Sequence, residues 1–137
     1  MVELEYKSDF LEVSYDSENS WIISKWTSST QHLTVDQYRP EILALAKVFR
    51  DHHPFVGSLS LTQDFNFIVD PELQDWVTQQ FNDYLPPKSA MVVAAEFISQ
   101  LSIEQTVQNM ETALKYFDNE PEAREWLLGK ETKVSKS

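Results

Sequence analysis

Apolar and polar residues alternate through Leu11, Glu12, Val13, Ser14 and Tyr15. That is the period of a strand with one face in a core. The stretch from Asp16 to Asn19 reads "DSEN" and is turn chemistry. Trp21, Ile22, Ile23 and Trp26 follow as a second β-rich run, so residues 10–26 predict a hairpin. The period then changes. Tyr38, Ile42, Leu45 and Phe49 recur at helical spacing. Thr34 with Gln37 makes a capping box, and Leu33 with Tyr38 a hydrophobic staple. Pro40 lies inside this stripe and lacks the N–H that would bond to residue 36. A kink, or a short separate turn before the main helix, is expected there.

"FVGSLSL" over 55–61 reads as a third strand, with Phe55, Gly57, Leu59 and Leu61 on one face. Asp70 as cap and Pro71 at the first helical position start a second helix. Leu73, Trp76, Val77, Phe81 and Tyr84 form its apolar stripe, and Pro86-Pro87 stops it. "AMVVAA" over 90–95 is apolar on both faces, as in a strand covered from both sides. Ser102 and Gln105 make another capping box, with Ile103, Val107 and Met110 pointing inward. "LKYF" over 114–117 is a last strand. Asn119 or Asp118 caps a final helix packed by Trp126 and Leu127 and ended by Gly129.

The order is β-β-α-β-α-β-α-β-α. It predicts an α/β fold: a five-stranded, mostly parallel mixed sheet with an N-terminal hairpin and about four helices. Residues 1–9 read as an N-terminal extension, 10–129 as one domain and 130–137 as a disordered tail.

Composition narrows the functions. The chain has 137 residues, 42% of them apolar, enough for one core. Its net charge of -11 repels phosphate backbones and anionic bilayers, so neither nucleic acid nor membrane is an expected partner. There are no cysteines, which excludes disulfides, thiolate metal sites and thiol nucleophiles. The start, "MVELEYKSDF", has no leader pattern and no apolar run reaches membrane-spanning length, so a cytoplasmic protein is expected.

The chemistry is sparse. Two glycines, Gly57 and Gly129, cannot build a phosphate-binding loop or a dinucleotide fingerprint. His52 and His53 are sequence neighbours on a helix end and share no face; they read as solvated residues near the C-terminal dipole, and His32 as a loop residue. Ser28, Ser29 and Thr30 read as turn and cap residues rather than nucleophiles. Asp64, Asp70 and Asp75 lack the spacing and the glycine of a calcium loop. No catalytic group, metal or cofactor is expected. Phe65 and Phe67 stand apart: they are placed either to plug the core or to line an apolar pocket at the carboxyl end of the sheet.

The strand order, "DPELQDWV" after the third strand and the ending "KYFDNEPEAREWL" together resemble the STAS-like, SpoIIAA-like domains, over roughly residues 10–129. This is the fold of anti-sigma-factor antagonists, here in the manner of its small stand-alone bacterial branch. In regulatory members the loop before the second helix carries an Asp and then a phosphorylatable Ser or Thr. The matching positions are Asp70 and Pro71, and proline accepts no phosphate. The resemblance therefore implies a non-catalytic interaction domain without that switch. Its expected surface is Asp64, Phe65, Asn66, Phe67, Asp70 and Trp76. The occupant would be a protein partner or a second copy. Similarity in fold to lipid-carrying SEC14 proteins implies the alternative, a small apolar ligand near Phe65, Phe67 and Trp76.

Overall fold

The structure, a computed structural model, describes residues 1–94 and 113–129. The expectations for the third helix at Ser102 and for the tail lie outside these residues. Six strands form one mixed sheet in sequential order: β1 (Val2–Lys7), β2 (Leu11–Asp16), β3 (Trp21–Trp26), β4 (Gly57–Leu61), β5 (Lys88–Val92) and β6 (Ala113–Phe117). The first three are antiparallel and the rest parallel. Three α-helices are described: α1 (Val35–His52), α2 (Pro71–Phe81) and α3 (Glu120–Leu127).

The sheet thus has six strands, not five. Residues 1–9 are no loose extension. Val2, Leu4 and Tyr6 alternate with Glu3, Glu5 and Lys7 and pair as an edge strand with β2. The ladder slips between Leu4 and Tyr6. The slip leaves Glu5 unpaired, and a bulge of this kind re-aims a side chain. Its carboxylate lies 3.3 Å from His52 Nε2, and the His52 ring stacks on Tyr15 at 3.8 Å. His52 is therefore half-buried and tied to the sheet, against the expectation of a solvated residue. Glu41 of α1 makes a second tie, accepting from the Tyr6 hydroxyl at 3.0 Å and the Ser8 hydroxyl at 2.8 Å.

The helix signals act as read. Thr34 and Gln37 form the capping box, Asp70 accepts from the Leu73 N–H at 2.8 Å, and Asn119 accepts from the Glu122 N–H at 2.9 Å. Each bond satisfies an N–H that the helix cannot pair internally. Pro40 sits within one continuous α1, so no separate turn forms. It falls on the exposed side, where the lost bond is open to water.

Parallel strands laid down in sequence step one way across the sheet. Right-handed crossovers then put α1 and α2 on the same face. There they share a core with Leu11, Val13, Ile22 and Trp26. The other face packs under α3, through Trp21, Leu59, Val92, Phe117 and Leu127. Two corrections concern bounds. β5 spans 88–92 rather than 90–95, and Phe55 precedes β4 and joins the α1 core rather than the face of Leu59 and Leu61.

Candidate functional site: a serine-floored cavity

Strand alternation divides β4 sharply. Gly57, Leu59 and Leu61 point toward α3. That side is close-packed: a Cβ on Gly57 would meet Trp21 Cδ1 at 3.1 Å and Leu127 Cδ2 at 3.2 Å. Ser58 and Ser60 point the other way, under α1 and α2. Register sets Ser60 beside Ser24 of β3, and Ser58 beside Ser89 of β5. Four hydroxyls therefore pave the centre of one face, where a buried sheet ordinarily carries Val, Ile or Leu.

Above this floor lies a cavity of about 450 Å³. Ile42, Leu45 and Phe49 of α1 and Val77 and Phe81 of α2 give it apolar walls. Phe49 and Phe81 meet edge to face, with ring centroids 4.9 Å apart. Gln74, Thr78 and Asn82, one helical turn apart and exposed, form a polar rim. No charged residue is among the described residues that line the cavity. Its size and its apolar walls over a polar floor match sites for small molecules.

The hydroxyls are unequally partnered. Ser24 donates to Ser60 at 3.3 Å, a long bond. Ser58 is 5% exposed, and its hydroxyl makes no hydrogen bond to another described residue. Among the described residues no fully enclosed side-chain polar atom lacks a partner. The open remnant of Ser58 is therefore its hydroxyl, and it faces the cavity.

Tyr38 lines the same cavity, and burial pushes its hydroxyl pKa up to about 12. It stays neutral across the physiological range.

The loop from Thr62 to Asp70 closes one end. The Thr30 hydroxyl, fully buried, accepts from the Asn66 N–H at 2.9 Å and donates to the Thr27 carbonyl at 2.8 Å. Phe65 meets Trp26 edge to face at 5.1 Å and lines the cavity. Phe67 packs on Tyr38 at 4.8 Å. Trp76 is half-buried under the Arg39 guanidinium, 4.7 Å from its ring centroid. Asp64 and Asn66 are exposed side chains held through their backbone, and Asp70 is a helix cap. Of the six expected surface residues, only Phe65 reaches the cavity. Ile68 is 88% exposed, the most open large apolar side chain described, and was not among them.

Sequence reasoning also passed over Ser24, Ser58, Ser60 and Ser89. The signal was present in "GSLSL", where serine alternates with leucine inside a strand flanked by helices. Among the described residues no cluster of three or more His, Asp or Glu is placed to hold a metal ion. No helix among them is long and apolar enough to cross a membrane.

No family model matches the chain, and neither a curated protein nor a solved structure is significantly similar to it.

Proposed function

We propose that the chain is a non-catalytic, STAS-like cytoplasmic binding domain whose working part is the cavity between the sheet and the α1–α2 pair. The observation that carries this reading is the cavity itself. About 450 Å³ lies over the middle of the sheet, while the opposite face of the same strands is closely filled. A concave space that opens at an exposed rim and is floored by hydroxyls in place of packed apolar side chains has the form of a small-molecule site. The mixed sheet with an N-terminal hairpin and alternating helices supports the STAS-like part of the reading. The occupant on this reading is a small molecule, and the phosphorylation switch of regulatory STAS proteins has no acceptor here, because Pro71 follows Asp70 and carries no hydroxyl.

Native mass spectrometry of freshly purified protein tests this directly. The expected result is excess mass that disappears under denaturing conditions. A bare chain mass, unchanged when the protein is purified without detergent or organic solvent, contradicts a tightly held occupant.

A second reading has one observation in its favour, the exposure of Ile68 at the tip of a pinned loop. Exposed apolar side chains beside a polar rim are features of contact surfaces. Here the loop meets a second copy of the chain. Sedimentation equilibrium decides it: a dimer in the wild type that Ile68→Asp converts to monomer supports the loop, and a monomer in both removes it.

A further inference from the structure

The serine floor sets the chemistry of what enters. We infer that the cavity takes an uncharged amphipathic molecule, whose hydroxyl or amide end bonds to Ser58 while its apolar body lies against the wall that the touching Phe49 and Phe81 rings make with Ile42, Leu45 and Val77; this rests on the reading of the cavity as a binding site.

Three observations point this way. The first is charge. The described lining contains no Lys, Arg, His, Asp or Glu, so an ionised head group seated on the serine floor, away from the exposed rim of Gln74, Thr78 and Asn82, would meet no counter-charge from these residues. That is among the costliest arrangements in a protein interior. Fatty-acid anions, phosphates and quaternary amines are thereby disfavoured. The second is the hydroxyl of Ser58. It is more than nine-tenths buried, unpaired with protein and open only to the cavity. A hydroxyl both donates and accepts, so it fits a ligand group that does the same. Ser89, its neighbour in register on β5, also lines the cavity, and its hydroxyl makes no hydrogen bond to a described residue. The third is the arrangement of the walls. The polar floor belongs to the sheet and the aromatic walls to the helices. A ligand polar at one end and apolar along its body satisfies both surfaces at once. A wholly apolar ligand leaves the Ser58 hydroxyl desolvated and unpaired.

The test uses three probes that share one ring: naphthalene, 2-naphthalenemethanol and 2-naphthoate. Affinities for the full chain are measured by equilibrium dialysis. The alcohol is expected to bind about three- to tenfold more tightly than naphthalene, the worth of one buried neutral hydrogen bond. The carboxylate is expected to bind more weakly than either. Ser58→Ala should erase the preference for the alcohol, weakening the alcohol and binding naphthalene at least as tightly as the wild type does, because no hydroxyl is then left desolvated. The same variant should be no less stable than the wild type, which separates a lost ligand contact from a damaged fold. Ser89→Ala provides a second, independent reading of the floor, with a smaller loss expected.

The outcomes separate two failures. If naphthalene and its alcohol bind equally, the serine floor reads nothing and the inference falls, while the cavity stands as an apolar site. A preference for the alcohol that survives in both serine variants overturns the assignment to this floor. If the carboxylate binds best, the ligand is an anion and the inference is overturned. Binding of none of the three removes the cavity reading together with the inference.

Discussion

The two faces of β4 differ by one position in sequence and by opposite chemistry. Toward α3 the strand presents Gly57, Leu59 and Leu61, fitted so closely that Gly57 has no room for a methyl group without movement of Trp21 or Leu127. Toward α1 and α2 it presents Ser58 and Ser60 beneath open space. Backbone, register and neighbouring strands are common to both, so folding alone does not account for the difference. The α3 face is what a sheet does when packing is the requirement, since interiors fill to near crystal density. The α1–α2 face gives up that density and leaves a hydroxyl without a protein partner. The contrast sets a closely packed face against an open one, and the binding proposed above belongs to the open one.

The largest effect should come from the packed face. Leu59→Ala removes a fully buried side chain from it and should cost about 2–5 kcal/mol in urea denaturation. A loss under about 1 kcal/mol would mean that this face is loose as well, and the contrast would dissolve. Gly57→Val should cost about 1–3 kcal/mol by overpacking against Trp21 and Leu127. Next in size is an alkaline effect on the cavity side. Tyr38 ionises at an ordinary 10.0 in the unfolded chain and at about 12 when buried. The stability it contributes is whole below pH 10.0 and falls as the pH rises toward about 12. Tyr6 and Tyr116 act in the same direction, each raised chiefly by burial. Tyr38→Phe should flatten part of this decline in pH-dependent thermal unfolding, and an unaltered profile would show that Tyr38 is not buried in solution. The smallest effect is the most informative. Ser58→Ala should change stability by less than about 1 kcal/mol, because its hydroxyl opens to the cavity and has no protein partner to lose. A clear destabilisation would show that Ser58 has a structural partner and would blur the line between the faces.

Most of the scaffold can be read from sequence because its signals are local. Thr34 with Gln37, Asp70 with Pro71, and Asn119 each announce a helix start by capping chemistry alone. β1 shows how one signal can mask another. Its strict alternation of Val2, Leu4 and Tyr6 with charged residues is strand-like, but a short, highly charged segment at the start of the chain also reads as an N-terminal extension. His52 was misjudged because its partners, Glu5 and Tyr15, come from strands far away in sequence. The cavity was hidden for the same reason. Serines at 24, 58, 60 and 89 mean little separately, and only parallel register gathers them. Phe65 and Phe67 were recognised as unusual, yet whether they plug the core or face a partner depends on Thr30 pinning their loop from 36 residues away.

The proposal places the ligand on this face of the sheet and not on the loop. Titrating isotope-labelled protein with 2-naphthalenemethanol while following backbone amide resonances distinguishes the two. Shifts are expected to centre on Ser58, Ser60 and Ser89 and on the facing turns of α1 and α2 around Phe49 and Phe81. Shifts confined to Asp64–Asp70, or none at saturating probe, would contradict it.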